Sequence, residues 1–286
     1  MVRKIIFYSV IIIVVVSAII FLLPTQVINN ASLSGIQIRS QLWNGTILIK
    51  GSVYFRPWAT LTISPGTKVI FEKSKDIEGT DWTKYADEFI KKHNDPTGKK
   101  GYEQSHYSLF GKIIAQGTKE KPILFTSAQL QPEYADWDQL ILLEGSKLDY
   151  VELSYAHNGV NIDGKNVTIT NSKIHDSLWS CIDIFSTGNT IEKNEVYHCW
   201  HQGIGLKKVG QNRIVNNYIH DAQLSINCEN GAQPEILNNT IKAAPINPDC
   251  GNGIGTKELP GEPDTKGGTY NGILIYPSKE EVGVNY

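Results

Sequence analysis

The sequence predicts an all-β solenoid of parallel coils, and three observations carry that prediction. Aliphatic anchors recur at Ile169, Ile191, Ile214 and Ile236, at steps of 22, 23 and 22 residues. A second aliphatic follows each anchor by five residues, at Ile174, Val196, Ile219 and Ile241. Between them, three residues after each anchor, stand Ser172, Asn194, Asn217 and Asn239. A near-constant period of this size, rich in β-branched residues, Asn and Gly, makes each repeat one coil that buries its apolar face only by stacking on the next.

The five-residue gap has a geometric meaning. Positions 0 and 5 of a straight strand point to opposite faces, so the chain must bend between them to place both inside. Asn tolerates the left-handed backbone region better than other non-glycine residues, which puts the bend at Asn194, Asn217 and Asn239. Ser172 interrupts that ladder, with Asn171 beside it. A further strand follows in each coil, at 160–162, 182–184, 204–206 and 226–228, where inward aliphatics flank an outward Asn161, Asp183, Gly205 or Asn227. Coils stack at about 4.8 Å with parallel pairing, and parallel crossovers are right-handed.

With those features the chain resembles the right-handed parallel β-helix repeat proteins of the pectate-lyase-like superfamily. Upstream segments extend the match: residues 61–71 (LTISPGTKVIF), 117–127 (GTKEKPILFTS) and 148–156 (LDYVELSYA) look like the opening coils of cell-surface members. The resemblance covers about Leu33 to Ile254 and implies a single-stranded right-handed β-helix. It implies no particular activity, because the fold carries enzymes, binders and structural parts.

Composition sets the remaining bounds. The 286 residues are 41% hydrophobic and 20% charged, enough for one domain with a continuous core. The net charge of −2 gives no electrostatic case for nucleic acid. Ile5 to Leu23 is 19 residues without a charge, preceded by Arg3 and Lys4. That length and flank predict a membrane-spanning helix within residues 1–24, with the domain on the extracytoplasmic side; a cleaved signal is the other reading. Residues 25–32 read as a short linker and 33–286 as the β-helix domain. Four cysteines, Cys181, Cys199, Cys228 and Cys250, fit an oxidising compartment and allow three pairings. A 228–250 bridge is the expected one, since it closes a short loop to the next coil.

In chain order, Leu33 to Phe71 forms the first coils, with Asn44-Gly45 and Pro65-Gly66 as turns. An insertion at about 72–108 interrupts them. There Trp82, Tyr85, Ala86, Phe89 and Ile90 fall on one face of an amphipathic helix, which either covers the solenoid or serves a partner. Coils resume at Leu109. After Ile241 the period loosens, with one more short coil at Gly253-Ile254 and a last strand, 272–276, over the open end.

Candidate chemistry falls in the turns after the second anchor. Reading coil by coil, one column holds Glu152, His175, Tyr197 and His220, and the next Leu153, Asp176, His198 and Asp221. The same turns carry Trp179, Trp200 and His201, and the next strand offers Asp183. Indole faces stack on sugar rings, while carboxylates and imidazoles bond hydroxyls or move protons. Catalytic candidates are therefore Asp176, Asp183, His198 and Asp221, with His198 expected between the two aspartates. Binding candidates are His175, Trp179, Trp200, His201 and His220. The opposing explanation is turn chemistry alone, with Asp and His serving the backbone. No structural-zinc spacing occurs, and neither metal nor cofactor is expected.

The chain departs from the enzymes of the resembled superfamily. It lacks the Asp-Pro-His motif of uronan epimerases, the acidic and Arg-x-Lys set of polygalacturonase-like hydrolases, and the calcium carboxylates of pectate-lyase-like enzymes. Three functions remain open: a glycan-binding or structural surface module; a polysaccharide lyase, glycoside hydrolase or epimerase; and a protein-interaction scaffold using the inserted helix. The sequence sets no oligomeric state.

Overall fold

The computed structural model describes residues 24–73, 107–207, 210–229 and 231–242, together with 246, 250, 256–259, 269–270 and 273–274. The solenoid begins with β1 (Gln26–Gln37), which pairs in parallel with β2 (Gln41–Phe55). Strand β2 runs along three faces of its coil, and the later coils repeat those faces, some as separate strands and some as a strand that turns over two faces. On the first face Ile169 pairs with Ile191, Ile191 with Ile214, and Ile214 with Ile236. On the second, Ile174, Val196, Ile219 and Ile241 are in register. On the third, Val160, Ile182, Ile204 and Ile226 are. All of these anchors are buried and form one continuous core. The expected all-β parallel solenoid is the observed fold, because the period brings like side chains directly over one another.

The corner between the first and second faces differs from expectation by one residue. The left-handed positions are Asn171, Lys193, Asn216 and Asn238, with φ of 50°, 56°, 58° and 54°. Asn194, Asn217 and Asn239 stand one place later and point inward. Their Nδ2 groups donate to Ile169 O, Ile191 O and Ile214 O at 2.9, 2.9 and 2.8 Å. Their Oδ1 atoms accept from the backbone N–H of Ser172, Asn194 and Asn217 in the coil before, at 3.0, 3.0 and 2.9 Å. The side chains thus complete the hydrogen bonding of a backbone that has left its strand. Ser172 continues the ladder, since its Oγ accepts from Val151 N at 3.0 Å. A second ladder at the corner between the third and first faces was not anticipated. There Asn189 Oδ1 accepts from Val167 N at 2.8 Å, and Asn212 Oδ1 from Asn189 N at 3.0 Å.

Three expected boundaries change. Gln26–Gln37 is strand, so most of the segment 25–32 expected as linker already belongs to the first coil; its backbone finds partners along β2. At the far end Thr240–Lys242 pairs in parallel with Lys257–Leu259. Thr269–Tyr270 and Ile273–Leu274 form a separate antiparallel pair, so the described part of the last expected strand does not continue the solenoid sheet. The apolar segment 5–23, most of the 72–108 insertion and Gly253-Ile254 lie outside the described residues. Among the described residues no helix is long and apolar enough to cross a membrane.

Two disulfides tie neighbouring coils in the C-terminal half. Cys181 is bonded to Cys199 within the core, and Cys228 to Cys250 as expected.

The ladder predicts where the coils are fragile. Asn217→Ala removes the acceptor of Asn194 N–H and the donor to Ile191 O, both buried. It should lower unfolding free energy by about 3 kcal/mol in a urea titration, since each orphaned buried group costs about 1–3 kcal/mol. Ile191→Asp, which buries an unpaired charge, should yield no folded protein by circular dichroism.

Candidate functional site

The candidate residues gather on the corner between the second and third faces. Tyr155, Asp176, His198 and Asp221 occupy its left-handed positions, with φ of 63°, 51°, 53° and 52°. Asp and His are among the few side chains that tolerate this conformation, so turn geometry by itself favours these residue types here. In the first of these coils the columns are displaced by two residues from the expected positions. Leu153 pairs with Ile174, and Glu152 with Lys173, so Ser154 and Tyr155 precede His175 and Asp176. The reason is a coil of 21 residues between Leu153 and Ile174 where the later ones have 22 or 23.

Asp176 is the hub of the corner. Its Oδ2 is 2.7 Å from His175 Nδ1, and its Oδ1 is 3.0 Å from His198 Nδ1. Tyr134 donates its hydroxyl to the same Oδ1 at 3.2 Å. Burial works against the charged carboxylate, yet the bonds from His175 and His198 hold Asp176 far below the usual carboxylate range. Burial likewise disfavours the His175 imidazolium, but Asp176 and Glu152 outweigh it and raise the His175 pKa. His175 Nε2 lies 3.6 Å from Glu152 Oε1. The same arrangement recurs two coils later. There His220 has Nδ1 2.5 Å from Asp221 Oδ2 and Nε2 3.6 Å from Glu195 Oε1. Asp221, expected to flank His198, is thus engaged with its own neighbour His220.

Between the two histidines lies Tyr197. Its ring stacks on His175 at 4.7 Å and on His220 at 4.8 Å, nearly parallel to both. This His–Tyr–His column follows from strict register: His175 pairs with Tyr197, and Tyr197 with His220. Burial, with Asp176 nearby, pushes the Tyr197 phenol well up.

The tryptophans stand further along the same turns. Trp179 stacks on His201 at 4.4 Å and tilts against Trp200 at 5.4 Å. Both indoles are half-buried, whereas His201 is buried. Burial, aided by Lys207, pushes the His201 pKa down to about 3, so its imidazole is neutral at physiological pH. Asp183 belongs to a different row. Its carboxylate, expected to face outward into the site, is 4% exposed and accepts from Gln202 Nε2 at 2.7 Å. Burial raises its pKa. Gly205 in the next coil permits this, because a Cβ there would come within 2.4 Å of Asp183 Oδ1. Gln202 also accepts from Asn227 Nδ2 at 2.7 Å.

Sequence reasoning missed Tyr134 and Gln202 as parts of these networks. Tyr134 comes from a loop outside the repeat, which no periodicity marks. Gln202 could have been suspected from its place just before the Ile204 strand, one coil below Asp183. Among the described residues no three His, Cys, Asp or Glu are grouped to hold a metal ion.

Parallel coils in register, closed by asparagine ladders and bearing one polar corner, define a parallel β-solenoid of three-faced coils. A family model described as the right-handed beta helix region matches residues 137–279, half of the chain, and the chain belongs to that family. Similar solved structures include the periplasmic alginate epimerase AlgG and a point mutant of it. Each is 13% identical and covers 77% of this chain, with TM-scores of 0.36 and 0.31. The chain spans 59% of the length of those structures. No curated protein matches the chain.

The pKa directions give a pH signature. The contribution of His175 is fully present below the free imidazole value of about 6.5 and is lost as pH rises through its raised folded value. That of Asp176 is present above the ordinary carboxylate range and is lost only as pH falls through its depressed value. The difference in unfolding free energy between wild type and His175→Gln should therefore be larger at about pH 6 than at about pH 9. A difference independent of pH in urea titrations would show that His175 gains no proton affinity on folding.

Proposed function

We propose that the protein binds a polysaccharide along the corner between the second and third faces. The observation that supports this best is the coincidence, on adjacent coils of one corner, of two half-buried indoles with an acid–imidazole array centred on Asp176. Trp179 and Trp200 offer apolar ring faces for the C–H face of a sugar. His198, Tyr197 and Tyr155, all half-buried, offer polar edges beside them. Coils rise by about 4.8 Å, so the groups form a line suited to an extended chain. Asp176, Asp221, His175 and His220 hold that line by bonding one another.

Catalysis is the second reading, favoured by one observation. Asp176 holds His198 through Nδ1 at 3.0 Å, the way a carboxylate orients an imidazole that moves protons. A lyase, hydrolase or epimerase would use that pair, with Tyr134 on the same carboxylate.

The cellular placement is part of the proposal. The uncharged segment 5–23 after Arg3 and Lys4 is a membrane anchor, and the domain is extracytoplasmic. Two disulfides are in keeping with an oxidising compartment.

Glycan-array binding, followed by titration calorimetry with the best glycan, tests the reading. Trp200→Ala and His198→Ala should each weaken binding at least about tenfold, or 1.4 kcal/mol, with unchanged circular dichroism. Binding unchanged in both variants would reduce the corner to turn chemistry, and no binding to any glycan would refute the polysaccharide reading. Release of reducing or unsaturated ends that His198→Ala abolishes would establish the catalytic reading.

A further inference from the structure

The first two coils differ from the rest of the solenoid in charge and exposure. Residues 24–71 contain four of the 27 Lys and Arg and none of the 29 Asp and Glu, whereas residues 72–286 hold 21 cations against 29 acids. Five of the seven large hydrophobic side chains exposed among the described residues also lie here: Val27, Ile36, Ile38, Tyr54 and Trp58. Four of these five are brought together by register and hydrogen bonding. Ile36 pairs directly with Tyr54, and Trp58 donates Nε1–H to Ile38 O at 3.0 Å. The backbone N–H of Arg56 donates to Gln37 O at 3.0 Å, which sets exposed Arg56 beside the first coil near exposed Arg39.

We infer that this patch is a membrane-seating surface: Ile36, Ile38, Tyr54 and Trp58 enter the interfacial layer of an anionic bilayer, and Arg39 and Arg56 meet its headgroups. The inference rests on the anchor reading above. Only Pro24 and Thr25 separate Leu23 from β1. Extended chain covers about 3.5 Å per residue, so the first coil starts within about 10 Å of the end of the apolar segment. A coil held that close touches the bilayer surface. Tryptophan, tyrosine and arginine are the side chains suited to that layer, where an apolar body and a polar tip are both accommodated. An acid-free end also suits an anionic leaflet, while the acidic remainder is repelled from it. The axis of the solenoid is thereby oriented, and the candidate corner, several coils along, is carried away from the lipid.

The test uses the full chain reconstituted in vesicles of phosphatidylcholine and phosphatidylglycerol. All four native cysteines are paired, so Ile38→Cys supplies a single thiol for a nitroxide, and Glu120→Cys, in an exposed turn, supplies the control. The label at 38 should be severalfold less accessible than the control to a water-soluble nickel chelate and severalfold more accessible to oxygen. Arg39→Gln with Arg56→Gln should reduce that contrast. Equal accessibility of the two labels, in a chain that carbonate washing leaves in the membrane, overturns the seating surface and leaves the anchor standing. Low accessibility of label 38 to both agents means that protein, not lipid, covers the patch, and likewise overturns it. Release of the chain by carbonate refutes anchoring and the seating surface together.

Discussion

Everything in this molecule depends on the backbone being satisfied at the corners of its coils. Inside a strand each N–H and C=O finds a partner in the coil above or below. At a corner the chain turns out of that ladder while still buried, and an unpaired group there is costly. Asn194, Asn217 and Asn239 resolve this by accepting from a backbone N–H of the preceding coil and donating to a carbonyl of that same coil. Aliphatic stacking supplies the driving force for coil assembly. The amide ladders determine that the coils meet in a single register, because a slip of one residue would put the amides outside and break every bond.

The same register builds the candidate site. Positions 22 or 23 residues apart in sequence become ring-stacking neighbours, as His175, Tyr197 and His220 are. Acid–imidazole pairs repeat for the same reason, with Asp176 on His175 and Asp221 on His220. Two explanations of these residues therefore coincide. Asp176, His198 and Asp221 suit a left-handed backbone, and their side chains also form a polar line beside Trp179 and Trp200. A corner that must use Asp, Asn or His for conformational reasons is a ready place for a ligand site, since the chemistry comes with the geometry.

Charge and exposure vary along the axis in a way the core does not. The core is apolar throughout, yet the outward row of the third face runs from Ile36 and Tyr54 through Phe110 and Ile141 to Asn161 and Asp183. The stacking constraint acts on inward side chains and leaves outward ones open to function. An acid-free, partly apolar first end and a polar corner further along are compatible with one fold for that reason.

The sequence by itself determined the fold class, the coil period and the three aliphatic columns, because burial by stacking imposes a period that survives in the residue order. It also located the corner that carries Asp176, His198, Trp179 and Trp200, since turn and strand alternate on that period. It did not reveal the second ladder of Asn189 and Asn212, for only two of the coils carry it. It misplaced the start of the polar columns, because a 21-residue coil shifts the count without disturbing the aliphatic pattern. Only the tertiary structure decided which groups touch. It bonded Asp176 to Tyr134 from a non-repeating loop, paired Asp221 with His220, and folded Asp183 under Gln202 against Gly205. Those outcomes depend on side-chain direction and on the space left by neighbouring coils, and a one-dimensional period encodes neither.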